Sequence, residues 1–242
     1  MKFNHDPNGA LLAVGKDSKG RVQSVYSAAF SETQAAAKFS RIEELREKFD
    51  AIVDENNAAR KSKSAATRDA ADCMDMIMKM GIRPGSDTDT GAKVKAYGAT
   101  TLEGKHVVQE GGDVYLRFVG KKGVNLDLKV PDPDLGRMLV ERAKSAAADG
   151  KVFSGLSDKS LLAYTHSLDG GKFKTKDFRT HLGTSLAYGM VSASQAPKNE
   201  AEYKKAVMEV AKVVSSRLGN TPVIALQSYI SPTVFSSWRI AT

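Results

Sequence analysis

Cysteine is almost missing from this chain: Cys73 stands alone, which excludes an intramolecular disulfide and a cysteine-built metal cage. Histidine is scarce too. His5, His106, His166 and His181 are scattered, with neither H-x-x-x-H nor H-x-x-E spacing, so nothing marks a metal site. No apolar run approaches the roughly 20 residues that a bilayer span needs. The stretch "ALLAV" near the start is too short for the core of a signal peptide, so the chain reads as intracellular with no membrane partner. Also absent are a G-x-x-x-x-G-K-[ST] loop, paired carboxylates at helical spacing and a G-x-S-x-G elbow. Readings as a nucleotide hydrolase, a glycosidase or an esterase therefore have no support.

What the chain does have is a basic balance. Its 36 Lys and Arg against 28 Asp and Glu give a formal charge of +8, which favours a polyanionic partner, nucleic acid ahead of a membrane surface. At 242 residues and 41% hydrophobic content it can bury one sizeable core or two unequal domains.

The patterning is uneven. "LLAVGKDSKGRVQSVY" carries two extended runs, Leu11 to Val14 and Arg21 to Tyr26, about a polar loop, and predicts a β-hairpin. Ser31 with Gln34 has capping-box spacing, and Phe39, Ile42, Leu45, Phe49 and Ile52 recur at helical intervals to about residue 53. "DENNAARKSKSAAT" is polar without periodicity and reads as a linker or frayed loop. Cys73, Met74, Ile77, Met78 and Met80 then mark a second helix, whose Met-rich face reads as core and which must stop at Gly81 or before Pro84. Between Thr100 and Val130 the texture alternates about the turn "GKKG" and predicts a small antiparallel sheet. Helices follow at about 134–148, 157–167, 175–190 and 199–218. Gly219 supplies a stop, and Thr221 with Pro222 supplies the N-cap and first position of a short helix near Tyr229.

The residues available for chemistry are basic. Arg83 lies in "GIRPG", Lys121 at a hairpin tip in "RFVGKKG", and "KFKTKDFRTH" sets four cations against one acid upstream of Tyr229. A tyrosine hydroxyl, with a pKa of about 10, attacks a phosphodiester poorly unless a cationic pocket stabilises both the phenolate and the charge spreading over the phosphorane oxygens. Two guanidinium groups, Arg83 and Arg179, suit the nonbridging oxygens, whereas an ammonium such as Lys121 can give its proton to a leaving alkoxide. Taken one at a time, each residue also fits a plain reading: a surface arginine before proline, a solvated lysine in a turn, a wet helix start.

The order of these pieces resembles the type IB DNA topoisomerases of the poxvirus and bacterial kind almost end to end. "VGKDSKGRVQSVY" is similar to that family's G-x-D-x-K/R-G-R-x-Q-x-x-Y hairpin, "AYGATTLEGKHV" to its Y/V-G-L-T-T-L-x-x-x-H-V segment, and "LRFVGKKG" to its F-x-G-K hairpin. "TKDFRTHLGT" is similar to its K-D-x-R-T helix start, and "LGNTPVIALQSYISP" to the G-[HN]-T-P and S/A-Y that bear the nucleophile. The resemblance implies an α+β fold: a mainly helical catalytic domain, 29–242, with a small antiparallel sheet, preceded by a short hairpin, 1–28, as the remnant of a DNA clamp. It implies that Tyr229 forms a 3′-phosphotyrosyl link, that Arg83 and Arg179 bind the scissile phosphate, and that Lys121 is the general acid. Lys176 would support Lys121 or share proton delivery, and Asn220 would hydrogen-bond a nonbridging oxygen. Lys19, Arg21, Gln23, Tyr26, Lys122 and Lys174 would meet the duplex. Relaxation without ATP, metal or other cofactor is expected, by a monomer in the cytoplasm or nucleoid, or in a virion or host cytoplasm if the source is viral.

Departures from the pattern accompany it. Only about 28 residues precede the first helix, "IRPGSDTDTG" lacks the family's polar pair after the glycine, and "ALQ" stands where basic residues usually precede the nucleophile, so a weaker grip on DNA is expected. A tyrosine recombinase shares such a pocket but typically has His where Lys176 stands. A non-catalytic DNA-binding module of the same fold would explain the charge but leaves the pocket residues without a purpose.

Overall fold

The computed structural model describes residues 1–18, 20–88 and 94–239; Lys19 lies outside them. The chain opens with β1 (Lys2–Phe3), β2 (Leu11–Lys16) and β3 (Val22–Tyr26) in an antiparallel sheet of order β1-β2-β3. The hairpin thus gains a third strand, with Lys2 opposite Val14 and Phe3 opposite Ala13. Side chains bend the chain back: Asn4 Oδ1 accepts from the Asp6 N–H, Asp6 Oδ1 accepts from the Asn8 N–H, and Asn4 Nδ2 donates to the Leu11 carbonyl. These are the local turns that Asn and Asp favour.

Helix α1 (Ala28–Ala59) is longer than its apolar spacing predicts, and it starts earlier. Its cap is Ser27, whose Oγ accepts from the Phe30 N–H at 3.2 Å, while Ser31 lies inside the helix and donates its hydroxyl to the Ser27 carbonyl. The "DENNAA" segment continues the helix because its inward face is polar but satisfied. Asn56, fully buried, donates to the Ala71 carbonyl at 3.0 Å and accepts from the Tyr164 hydroxyl at 2.8 Å. A buried amide with both ends paired costs little, so the face needs no hydrocarbon.

Helix α2 (Ala65–Met80) is core on most of its surface: Cys73, Met74, Met76 and Ile77 are wholly buried. Burial of each of the Met and Ile side chains contributes about 1.5–3 kcal/mol. Strands β4 (Val107–Glu110), β5 (Asp113–Val119) and β6 (Asn125–Lys129) form the second antiparallel sheet, in register from Tyr115–Lys129 to Val119–Asn125. Helices α3 (Pro133–Ala146), α4 (Asp158–Ser167), α5 (Thr175–Ser192), α6 (Glu200–Leu218) and α7 (Pro222–Ser228) follow, and a 3-10 segment spans Pro232–Trp238.

Two apolar clusters meet along α5. One joins α2, the second sheet and α3 to Phe178; the other joins α6, α7 and Trp238 to Ala187 and Val191. This is the α+β, mainly helical architecture expected. Among the described residues no helix is long and apolar enough to cross a membrane.

Candidate active site

Four chain segments bring the site together at the seam between the two clusters. Helix α2 ends at Gly81 (φ 65), which turns the chain so that Arg83 follows at once on an extended stretch. That stretch is clasped by the "YGATT" segment: the Ala99 N–H donates to the Arg83 carbonyl, and the Thr100 N–H and hydroxyl both donate to the Pro84 carbonyl. A Cβ on Gly98 would sit 2.5 Å from the Gly85 nitrogen and 2.6 Å from the Arg83 carbonyl, so only glycine permits this approach. The β5–β6 connection closes in a 3-10 turn, Lys121–Gly123, with Lys122 held at φ 66. At the far side, α6 ends at Gly219 (φ 60), Asn220 follows, and Thr221 caps α7 by accepting from the Ile224 N–H. Tyr229 closes α7 as its C-cap residue.

These segments enclose a cavity of about 410 Å³, lined among others by Arg83, Lys121, Lys122, Arg179, Asn220 and Tyr229. A water occupies about 30 Å³ of liquid, so there is room for a phosphate with sugar atoms beside it. The Tyr229 ring is 9% exposed and faces two guanidinium groups, Arg179 at 4.7 Å and Arg83 at 5.8 Å from its centroid. Its carbonyl accepts from the Thr184 hydroxyl at 3.1 Å, which pins the backbone of the C-cap to α5.

Arg179 is nearly buried, and its fork grips two helix ends: one terminal nitrogen donates to the Gly81 carbonyl and the other to the Leu218 carbonyl. Burial pulls its pKa down, Tyr229 opposes that, and Arg83 adds to it. The group stays protonated regardless, since arginine does not release its proton in proteins. Its Nε is buried with no hydrogen-bond partner, as are both amide atoms of Asn220. Two of these atoms are donors, the Arg179 Nε–H and the Asn220 amide N–H, and a buried donor with no acceptor in the chain is costly.

Lys121 is exposed on the turn, and among the described residues no ion pair engages it or Arg83. Lys176 does not line the cavity. It sits exposed on the first turn of α5, three residues before Arg179. Lys174, also exposed, is the N-cap of the same helix. In the N-terminal sheet, Arg21 Nε and Gln23 Nε2 both turn to Asp17, at 2.8 and 3.2 Å, while Tyr26 stacks on Phe30 with centroids 5.1 Å apart. Sequence reasoning missed Lys38, Arg41 and Thr184. Arg41 pairs with Asp177 at 2.9 Å, fixing the start of α5, and Lys38 reaches the Ser228 carbonyl at 3.1 Å. Thr184 fell within a motif already singled out, but the α1 cations carried no signal beyond helical spacing.

Comparison with known proteins gives the family of the chain. Residues 27–230 match the family described as eukaryotic DNA topoisomerase I, catalytic core. The chain is 28% identical over 244 residues to the DNA topoisomerase 1B of Acanthamoeba polyphaga mimivirus, covering 93% of this chain and 71% of that protein. It is 23% identical over 229 residues both to the DNA topoisomerase I of Monkeypox virus and to the DNA topoisomerase 1B of Vaccinia virus (strain Western Reserve), with the same coverage. A match over that much of the chain shows that this protein belongs to the DNA topoisomerase I catalytic-core family.

Proposed function

We propose that this chain is a type IB DNA topoisomerase that nicks one strand of duplex DNA with Tyr229, lets supercoils relax, and reseals the strand. The observation that carries the assignment of residues is the Tyr229 ring held against Arg83 and Arg179 in a cavity that Lys121 and Asn220 also line. The Tyr229 hydroxyl gives up its proton to water as Arg83 and Arg179 stabilise the phenolate, the phenolate oxygen attacks the phosphorus to form a 3′-phosphotyrosyl bond, and the bond to the 5′ oxygen breaks as Lys121 gives that oxygen its proton. Arg83, the free Nε–H of Arg179 and the Asn220 amide hold the nonbridging oxygens as charge builds on them, a role worth about 10²–10³ in rate per donor. Lys176 adds positive charge at the approach. Religation runs the same steps backwards, with the phosphodiester energy kept in the covalent link, so no ATP is consumed.

Lys122, Lys174, Arg21, Gln23 and Tyr26 contribute phosphate and groove contacts; Arg21 and Gln23 must exchange Asp17 for DNA to do so. The test is a nicked suicide duplex resolved on a denaturing gel. The unmodified chain should form a DNA-linked band, and Tyr229→Phe should form none while binding the duplex as before. An adduct that persists in Tyr229→Phe refutes the assignment of the nucleophile.

A further inference from the structure

Tyr229 is reached by α1 as well as by the four segments that build its cavity. The Lys38 ammonium donates to the Ser228 carbonyl at 3.1 Å. That carbonyl belongs to the last residue of α7, immediately before the nucleophile, and is one of the acceptors a helix end leaves without an internal partner. One turn further along α1, Glu43 Oε1 accepts from the Tyr188 hydroxyl at 3.2 Å and from the Thr233 hydroxyl at 3.3 Å. Thr233 is in turn 2.7 Å from the Ser231 hydroxyl. The same helix therefore touches the chain on both sides of Tyr229.

Resting on the reading of Tyr229 as nucleophile, we propose that Lys38 is a positioning residue: its bond to the Ser228 carbonyl holds the end of α7 so that the tyrosine oxygen stays aligned on the scissile phosphate. A plain surface role does not fit the placement. Lys38 is partly buried, and burial lowers its pKa; Asp177 opposes this, while Lys176 and Arg41 push the same way. An ammonium kept beside two other cations loses solvation and gains repulsion, which the Ser228 carbonyl offsets together with the Phe39 ring, whose centroid lies 4.0 Å from Nζ. A cation at a helix C-terminus is also favoured by the helix dipole. Lys38 has no line to the leaving oxygen in this role; it acts on the reaction only through the backbone that carries Tyr229.

The experiment compares the full chain with Lys38→Met and Lys38→Arg in single-turnover cleavage of a nicked suicide duplex at saturating DNA, together with religation, duplex affinity and thermal unfolding. A small misplacement of a reacting group can cost about 10²-fold. Lys38→Met should therefore cleave and religate about tenfold to a hundredfold more slowly, both by one factor, with affinity and unfolding temperature unmoved. Lys38→Arg should recover most of the rate. A 5′-thiol leaving group should not rescue Lys38→Met, because proton delivery is intact. Should Lys38→Met fail to fold, Lys38→Gln carries the same comparison, with a rate expected between the two. An unchanged rate overturns the proposal, as does a loss confined to affinity, which would make Lys38 a phosphate contact, or a rescue by the thiol. If the unmodified chain forms no DNA-linked band, the assignment of Tyr229 falls, and this inference falls with it.

Discussion

Gly183, which does not itself line the cavity, offers a way to displace Tyr229, the proposed nucleophile, from behind. It sits inside α5, buried, where an added Cβ would lie 2.7 Å from the Tyr229 carbonyl oxygen, 3.1 Å from a Leu218 methyl and 3.2 Å from the Tyr229 Cβ. Ordinary contact begins near 3.4 Å, so Gly183→Ala must push the Tyr229 backbone away by up to about 0.7 Å. Two stability effects oppose each other. Alanine gains about 1 kcal/mol over glycine in a helix interior, and overpacking costs about 1–3 kcal/mol. The net loss is then about 0–2 kcal/mol, which leaves the protein folded. The rate has no such compensation: at about 10²-fold per ångström of misplacement, a shift of up to about 0.7 Å should slow cleavage by up to about 25-fold. Gly189→Ala is the internal control, since it lies exposed on the same helix with nothing within 4 Å of the added methyl. It should stabilise by up to about 1 kcal/mol and leave cleavage alone. The assay is single-turnover adduct formation at saturating duplex beside thermal unfolding of both variants. Cleavage by Gly183→Ala at the unmodified rate would show that the backbone contact between α5 and Tyr229 does not set the geometry of attack.

Three further outcomes are expected. Lys121→Ala should slow cleavage of a normal 5′-oxygen leaving group far more than that of a 5′-thiol, whose lower pKa needs no donor; equal losses on both substrates would remove Lys121 from the role of acid. His181 is buried, stacks on Phe49 at 4.1 Å, and has its pKa lowered to about 4 by burial, with Arg46 adding and Glu43 and Asp50 opposing. Below pH 6.5 the unfolded chain takes up a proton that the folded chain refuses until about pH 4, so stability falls as pH drops through that window, by at most about 3 kcal/mol. Denaturant melts from pH 7 to pH 4 should show His181→Gln losing less than the unmodified chain across it. Relaxation of supercoiled plasmid should survive EDTA, because the arginines and lysines supply the charge, and duplex affinity should fall with log salt at a slope of about −0.9 per phosphate contact.

The parts of this architecture legible in the sequence are those fixed by local chemistry. Thr221 and Pro222 announce α7 because an N-cap oxygen and a proline at the first position satisfy a helix start, and Gly219 announces the end of α6 because φ 60 suits glycine. The second sheet was visible because alternation between a core face and a wet face leaves period two in the residues. What stayed hidden depends on partners distant in the chain. The last turns of α1 read as a linker because Asn56 looks like a loop residue until Ala71 and Tyr164 are placed beside it. Strand β1 is only two residues long and exposed, so it leaves no pattern at all. The cap of α1 went to Ser27 rather than Ser31 because two serines four residues apart offer the same chemistry, and the stacking of Tyr26 on Phe30 goes with the earlier start.

The candidate site divides the same way. Its charged members stood out as types and were brought together by motif order, yet nothing in the residues said how Arg179 would be used. Its two terminal nitrogens hold the carbonyls of Gly81 and Leu218, which close the helices leading into Arg83 and Asn220. One buried guanidinium therefore ties together the ends of the two helices that lead into Arg83 and Asn220, while its Nε–H makes no bond within the chain. That explains why an arginine whose charge is made costly by burial is retained at the seam of the two cores. The carbonyls partly offset its desolvation, the tyrosine face beside it offsets more, and a bound phosphate would supply the rest. An arginine placed for stability alone would have all of its donors satisfied within the chain. Arg179 does not.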